Sequence, residues 1–222
     1  RFLASAYITN QVLVLTTTDD WETEDNLTME TIDAPAGVGS SFANPSETYT
    51  PMNGETLIGF GASMALSPNG DYLVIGSPKE LTNMKDPWDP TDDELHGFSG
   101  AAYVYEWDGA SYGNDPIRLH GADFRDDEWT PAEADSMRWL GERFGTQCAV
   151  SDSGRIYVSA PFADDGGRVY QFQIEAGAIK QLGHVTHPDP DPADRRPFGL
   201  LGLEVNNLEP KGEALVAGRE MQ

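Results

Sequence analysis

The sequence predicts an all-β protein that folds as about three to four blades of a partial β-propeller with long acidic loops. Helical periodicity is almost absent, and 23 Gly and 15 Pro residues interrupt the 222-residue chain every few positions. Apolar residues form short alternating or continuous runs between turn residues, which is typical of strands. One strand-rich unit recurs along the chain, and such a unit needs neighbours to cover both faces of its sheet.

The composition indicates a globular chain with a strongly negative surface. Hydrophobic residues make up 39% of the sequence, enough for a buried core. Its 37 acidic and 14 basic residues give a net charge of -23, which repels nucleic acid and anionic lipid. The charge indicates either a functional acidic surface or solubility in a salty or calcium-rich medium. No apolar run approaches the ~20 residues that a membrane-spanning helix needs, so no span is expected in this segment.

Six strands are predicted from apolar runs bounded by turn residues, at 63–66, 71–75, 101–105, 147–150, 155–158 and 168–174. The dipeptide Asn69-Gly70 lies between the first two and predicts a tight hairpin, because both residue types tolerate positive φ. Asp108-Gly109 predicts a second turn after Trp107. Cys148, the one cysteine, alternates within a predicted strand, so we expect a small buried core residue and no nucleophile.

The stretch from Phe60 to Pro78 recurs from Phe144 to Pro161, and each copy is followed by a Gly and a strand with a central Tyr, at 100–105 and 167–172. A looser third copy begins at residue 198. We expect the Phe to wedge between neighbouring sheets, the next Gly to let backbones approach, and the Pro to end a strand. The repeat signature is Phe60, Gly61, Gly76, Pro78, Phe144, Gly145, Pro161, Phe198 and Gly199.

The repeats divide the chain into four predicted parts. Residues 1–57 hold the tail of a preceding blade, with 4–8 as its tail strand, followed by connecting strands and a loop. Residues 58–112 form one blade, 113–182 a second blade with an acidic insert, and 183–222 the truncated start of another. The acidic, Pro-rich segments 79–96 and 113–142 are interpreted as long rim loops. Closure of such a propeller requires more polypeptide, from other chains or missing parts of the same protein.

The order Phe-Gly, strand, turn, strand, Gly-Ser-Pro or Ser-Ala-Pro, then Gly-x-x-Tyr-x-aromatic resembles the FG-GAP repeat of integrin α chains. The resemblance covers most of the chain from about residue 58 onward. It implies a propeller, usually of seven blades, in an extracellular or cell-surface protein with adhesive or structural roles. The triplet Asn26-Leu27-Thr28 agrees with secretion, because Asn26 is an acceptor for N-glycosylation in a secretory pathway.

Calcium is the cofactor that the resemblance suggests, since many FG-GAP blades bind it in an Asp-rich loop between two strands. The corresponding loops here, 67–71, 151–154 and 206–212, offer too few oxygen side chains for a cation that takes six to eight ligands, so no cofactor is predicted in them. The best metal-like cluster is Asp189, Asp191 and Asp194, downstream of His184 and His187. The competing interpretation is an exposed connector stiffened by alternating Pro residues.

The first functional hypothesis is a non-enzymatic interaction, adhesion or scaffold module whose rim loops contact a protein or glycan partner. The predicted contacts are Trp88, Trp129 and Trp139, which could instead anchor the loops to the body. A carbohydrate-active or other hydrolase is the alternative, because a glycosidase needs only two suitably placed carboxylates. No catalytic residue is predicted, since no nucleophile elbow or phosphate-binding loop occurs. A structural subunit of an extended assembly is a third hypothesis.

Overall fold

The structure, a computed structural model, describes residues 2–6, 11–17, 27–35, 59–80, 100–113, 115–121, 142–163, 167–175, 177–186, 202–208 and 212–218. These residues form β-strands, turns and bends without a helix, so none of them belongs to a helix able to cross a membrane. The strands are β1 Phe2–Ala6, β2 Gln11–Thr17, β3 Leu27–Asp33, β4 Ser63–Leu66, β5 Tyr72–Ser77, β6 Ala101–Glu106, β7 Ile117–Leu119, β8 Cys148–Val150, β9 Arg155–Ala160, β10 Arg168–Glu175, β11 Ala178–Thr186, β12 Gly202–Leu208 and β13 Gly212–Gly218.

The strands pair in chain order into antiparallel sheets. The first sheet is β1-β2-β3, the second is β4-β5-β6-β7, the third is β8-β9-β10-β11, and the fourth is the pair β12-β13. Contacts between sheets concentrate on the first strands, since β4 contacts β8 and β8 contacts β12. The predicted all-β fold is therefore confirmed in the described part of the chain.

The two clear copies of the repeat form sheets of identical topology and matching hydrogen bonds. In the turn between the first two strands, the Ser67 amide donates to the Tyr72 carbonyl at 2.9 Å, and the Ser151 amide donates to the Arg155 carbonyl at 2.9 Å. Each serine hydroxyl also accepts the return amide, from Tyr72 at 2.9 Å and from Arg155 at 3.1 Å. The internal repeat inferred from the sequence is thus a structural repeat.

The second sheet is buried on both faces by its neighbours. Successive strand residues point to opposite faces, so alternate residues enter different cores. One face packs with the first sheet and contributes Leu73, Ile75, Ala101, Tyr103 and Tyr105 to a cluster with Val12, Val14 and Ile32. The other face packs with the third sheet and contributes Val74, Ala102 and Val104 to a cluster with Ile156, Val158, Tyr170 and Phe172. Burial on both faces explains why these strands read as continuous apolar runs.

The phenylalanine of each Phe-Gly pair occupies the layer between two sheets, as predicted. Phe60 and Phe144 are both fully buried, the first between the first and second sheets and the second between the second and third sheets. Phe60 makes an edge contact with Tyr103 at 5.7 Å between ring centroids, and Phe144 makes the same contact with Tyr170 at 5.3 Å. The repeat therefore places one aromatic wedge in each of these two layers.

The glycine after Phe144 brings two backbones into direct contact. Gly145 has a φ of +92°, and a Cβ atom added there would lie 2.1 Å from the Ala101 carbonyl oxygen and 3.0 Å from the Ser77 amide nitrogen. A side chain at Gly76, in the second sheet, would also clash, because a Cβ added there would lie 2.0 Å from the Gly145 carbonyl oxygen. Only glycine fits this crossing of the second and third sheets, which confirms its predicted role.

The third sheet is covered on its far face by the fourth. Leu203 of β12 packs against a buried cluster of Ala149, Tyr157 and Val169. The pairing of β12 with β13 agrees with the loose third copy predicted from residue 198, although Phe198 and Gly199 lie outside the described residues. Each described sheet from the second to the fourth therefore packs on the one before it.

Cys148 is a core residue, as predicted. Its side chain is 6% exposed, and the thiol Sγ lies 3.3 Å from the Ser63 hydroxyl oxygen. Desolvation by burial raises the pKa of Cys148 to about 12, although the Ser63 hydroxyl acts in the opposite direction. The thiol is therefore neutral at physiological pH and poorly nucleophilic.

Several strand limits differ from the prediction. The second sheet takes its fourth strand, β7, from residues 117–119, beyond the predicted boundary at 112 and inside the segment predicted to be a loop. Strand β11 continues past the predicted boundary at 182 to Thr186. Both strands are exposed and polar along much of their length, so they lack the apolar alternation by which a strand is predicted.

Two terminal segments also differ from the prediction. The predicted tail strand at 4–8 is β1, which ends at Ala6 and is followed in its own sheet by β2 and β3. Residues 206–208 were predicted to begin the third loop between strands. They are instead the end of β12 and pair with residues 212–214. A hairpin with a shorter connection therefore replaces the third predicted loop.

Gly145→Ala should lower the free energy of unfolding by more than about 3 kcal/mol, because it combines positive-φ strain with a backbone clash. Gly109→Ala is the matched control, since Gly109 has a φ of +100° and no atom within 4 Å of its added Cβ. It should cost only about 1–2 kcal/mol, the strain alone. Urea unfolding followed by circular dichroism measures both, and equal losses would contradict the close contact.

The Cys148 thiol should react with Ellman's reagent at about pH 8 at least about 1,000-fold more slowly in the folded chain than after urea unfolding. The raised pKa leaves little thiolate, and burial blocks access. The chain has a single cysteine, so the absorbance change reports this site alone. Rapid reaction of the native chain would contradict the packing of β8 against β4.

Candidate functional site

A groove of about 460 Å³ opens between the second and third sheets. It lies at the edge where β5 begins, β6 ends and β11 begins, on the side of the sheets away from the contact at Gly145. A volume in this range is typical of ligand pockets. The lining residues are Tyr72, Val104, Glu106, Trp107, Asp108, Asp115, Ile117, Ile174, Gly177 and Ile179.

The floor of the groove is apolar and continuous with the core between the two sheets. Val104 belongs to that core, and Ile174 and Ile179 pack against it as partly buried side chains. Ile117 is 40% exposed, so it offers apolar surface at the opening. The groove is therefore the open end of a packed layer, and a ligand there would extend an existing apolar contact.

Trp107 and Ile174 occupy equivalent positions in the two copies of the repeat. Each amide donates to a carbonyl of the nearby turn, from Trp107 to Asp71 at 2.8 Å and from Ile174 to Gly154 at 3.0 Å. The same backbone bond thus follows the last residue pair between the second and third strands of both sheets. The Ile174 side chain packs in the layer between the second and third sheets, where the groove lies, whereas the Trp107 side chain packs in the layer between the first and second sheets.

A chain of contacts from the first sheet holds Trp107 in place. Its indole lies 5.0 Å from the ring of Tyr112, which is fully buried. The Tyr112 amide donates to the Glu30 carboxylate at 2.9 Å, and the Tyr112 hydroxyl donates to the Gly70 carbonyl. These contacts hold the Trp107 side chain against the core between the first and second sheets, on the face of β6 opposite to Val104.

Tyr72 forms another part of the aromatic lining. A Cβ added at Gly154 would lie 3.5 Å from its Cε2 atom, so the ring packs against the turn of the third sheet. Burial raises the pKa of Tyr72, and the charges of Glu106 and Asp71 raise it further. The phenol therefore stays neutral at physiological pH, and its hydroxyl can both donate and accept a hydrogen bond.

Three carboxylates, Glu106, Asp108 and Asp115, also line the groove, and all three residues are exposed. The Asp108 Oδ1 atom accepts the amides of Ala110 and Ser111, each at 2.8 Å, which fixes the turn after β6. Among the described residues, Glu106 and Asp115 have no side-chain hydrogen bond or ion pair. The lining contains no Lys, Arg or His, so the groove is a concentrated negative surface.

The described part of the chain buries two carboxylates, and both lie at the opposite edge of the sheets. Tyr103 donates to Glu80 at 2.6 Å, and Arg118 pairs with the same carboxylate at 2.5 Å. Tyr170 donates to Glu142 at 2.8 Å in the next layer. These hydrogen bonds satisfy the tyrosine hydroxyls inside the protein, as buried polar groups require.

The predicted contact residues Trp88, Trp129 and Trp139 lie outside the described residues, and so do Asp189, Asp191, Asp194 and Asn26. His184, predicted beside the metal-like cluster, is part of β11, with its ring 5.7 Å from that of Tyr170. In the loop 67–71, the Asn69 side-chain oxygen accepts hydrogen bonds from Ser67 and Asp71, so the turn itself uses it. The described residues include no group of three or more His, Cys, Asp or Glu able to hold a metal ion.

The groove residues were missed at the level of sequence, although one signal was present. Glu106, Trp107 and Asp108 form an acidic-aromatic-acidic triplet at the end of a predicted strand, where a side chain can face a sheet edge. Ile174 and Ile179 could not be joined to that triplet, because β11 was not predicted. The groove needs two sheets, and no single segment encodes it.

No family model and no curated protein matches the chain. Among solved structures, it is similar to the periplasmic gluconolactonase PpgL of Pseudomonas aeruginosa, with 16% sequence identity and a TM-score of 0.37. The superposition covers 72% of this chain and 36% of that chain, so this chain corresponds to about a third of the length of that enzyme.

Glu80→Gln tests how the buried ion pair affects stability. Burial raises the pKa of Glu80 despite the opposing charge of Arg118 and the Tyr103 hydrogen bond, so folding favours the protonated acid. The native state then binds more protons than the unfolded state above the ordinary pKa of 4.5, and this contribution falls as pH rises through the native pKa.

The stability advantage of the wild type over Glu80→Gln should therefore shrink between about pH 5 and pH 8, because the neutral amide does not titrate. Urea unfolding at several pH values measures the difference. Glu175→Gln, at an exposed carboxylate of β10, is the control for the loss of one surface carboxylate. An advantage that grows with pH would contradict the raised pKa.

Proposed function

We propose that this chain is a non-enzymatic binding module whose groove between the second and third sheets contacts a protein or glycan partner. The observation that carries the proposal is a preformed groove with an apolar floor and an aromatic side chain, Tyr72, that packs against the core between the two sheets. Interfaces draw most of their binding energy from such buried aromatic anchors.

For the architecture we propose a partial propeller of the FG-GAP type, in an extracellular or cell-surface protein. The support is two sheets of identical topology, with a Phe-Gly pair in each layer and first strands that adjoin. Other chains, or further parts of the same protein, would cover the outer faces of such a stack. Trp88, Trp129 and Trp139 stay predicted as additional contacts on the rim loops.

The placement of the carboxylates supports binding over catalysis. An acid catalyst is commonly a desolvated carboxyl group inside the substrate pocket. Here the groove carboxylates are exposed, and the desolvated Glu80 and Glu142 are hydrogen-bonded to tyrosines at the other edge. The groove therefore offers surface and charge to a partner.

Tyr72→Ala should weaken partner binding at least about 30-fold, the effect of losing an interface anchor worth about 2 kcal/mol. Arrays of immobilised glycans and peptides identify the ligand, and titration calorimetry on the best hit measures the affinities. Since Tyr72 also packs against the turn at Gly154, Ile117→Ala is a second groove variant, expected to cost about three- to tenfold.

Val185→Ala is the matched control for Ile117→Ala, because Val185 is an aliphatic residue, 50% exposed, outside the groove. It should leave the affinity unchanged. Equal affinities for wild type and both groove variants would refute the proposed site. Cleavage of arrayed glycans by the wild type would refute the non-enzymatic assignment and support the hydrolase.

A further inference from the structure

We infer that the first sheet binds an additional strand from a partner polypeptide, paired along the edge of β1 and similar in sequence to β4. The inference goes beyond the proposed function, since no residue of β1 or β4 lines the groove. Two features of the described residues support it, namely the register of the three sheets and the different burial of β4 and β8.

The strands β1, β2 and β3 correspond to the last three strands of the second and third sheets. β1 ends on Ser-Ala, as β9 does, and in both sheets the serine pairs with a valine of the next strand. That valine faces the layer toward the following sheet, as Val12 in β2 and Val169 in β10. The equivalent residues of β1, β5 and β9 are therefore Ser5, Gly76 and Ser159.

In the second and third sheets, the strand equivalent to β1 has a neighbour on both sides. β5 lies between β4 and β6, and β9 lies between β8 and β10, whereas β1 pairs with β2 alone among the described strands. The Gly76 carbonyl accepts the Gly61 amide at 3.0 Å, and the Ser159 carbonyl accepts the Gly145 amide at 3.0 Å. By the same register, the Ser5 amide and carbonyl point away from β2. This edge of β1 therefore offers a donor and an acceptor to another strand.

The first strands of the second and third sheets differ in burial. Cys148 and Val150 of β8 are only 6% and 4% exposed, because they face β4 across the layer. Met64 and Leu66 of β4 are their equivalents and face the first sheet, yet both are only half-buried. A strand added beside β1 would cover these two side chains, as β4 covers β8, and would remove their apolar surface from water.

The layers that follow indicate the sequence of the added strand. Ala65 of β4 faces the third sheet, and Ala149 of β8 faces the fourth. Both positions hold alanine, so a strand that faces Met64 and Leu66 needs a small residue at its centre to pack without strain. The similar strands β4, β8 and β12 are all paired inside their own sheets, so a second copy of this chain offers none of them. A different polypeptide therefore fits this edge.

The test adds an unlabelled peptide with the β4 sequence Gly-Ala-Ser-Met-Ala-Leu-Ser, flanked by Gly-Ser at each end, to the full chain. Methyl NMR follows Met64, one of six methionines, assigned with Met64→Leu. Amide hydrogen exchange follows Ser5. The peptide should shift the Met64 methyl signal. At saturation it should slow exchange of the Ser5 amide at least about tenfold, because a hydrogen-bonded amide exchanges only when the strand opens.

Modified peptides separate strand pairing from general apolar contact. N-methylation of the central Ala removes an amide directed at β1 and should weaken binding at least about tenfold. N-methylation of the preceding Met is the matched control, since strand alternation points that amide away from β1, and it should change the affinity less than about threefold. Replacing the central Ala with Gln should weaken binding at least about tenfold, because a larger polar side chain would meet Met64 and Leu66.

Three results would overturn the inference. The first is an equal loss of affinity from the two N-methyl groups, or a Gln peptide that binds as tightly as the Ala peptide. The second is a Met64 signal that does not move at millimolar peptide. The third is a Ser5 amide that exchanges as slowly as the Gly76 amide before any peptide is added, since the edge of β1 would then already be paired within the chain.

Discussion

The direct contact between the backbones of the second and third sheets at Gly145 is the constraint on which the rest of the described structure depends. A Cβ there would meet Ala101, so the sheets can approach at this edge only through glycine. The approach lets Phe144 fill the layer and buries the inner face of β9. Farther along the layer, the Asn69 amide donates to Asp152 at 2.6 Å and joins the turns of β4 and β8. With both of these places closed, the layer opens toward β7 and β11, which is where the groove lies.

The same layers show how the fold satisfies polar groups that a strict repeat would leave unpaired. Tyr103 and Tyr170 are equivalent residues, and each donates its hydroxyl to a buried glutamate. The partners come from different places, since Glu80 follows β5 and Glu142 precedes Phe144 in the sequence. A buried phenol without a hydrogen-bond partner would cost about 1–3 kcal/mol of stability. A glutamate from either place in the sequence removes this cost. The requirement is therefore structural, and the repeat alone does not specify how it is met.

Buried strands could be predicted from the sequence, and exposed strands could not. Strands β5, β6, β9 and β10 are buried on one or both faces, so their apolar runs revealed them to within about two residues. The exposed strands β7 and β11 carry mixed polar residues and were missed. These strands form by pairing with the neighbouring strands β6 and β10, and this pairing leaves no pattern in their own residues. The groove was missed for the same reason, because it lies between Tyr72 and a hairpin, β10-β11, that was not predicted.

The two copies of the repeat hold similar residues inside the layers and different residues at the groove edge. Positions inside the layers hold similar residues, such as Phe60 and Phe144 or Tyr103 and Tyr170. At the groove edge, Tyr72 and Glu106 of the second sheet correspond to Arg155 and Gln173 of the third, which hydrogen-bond to each other. The third sheet thus carries a cation where the second carries an aromatic ring. Packing explains the shared positions, whereas a difference in charge at equivalent positions along the groove edge favours a surface specialised for one partner.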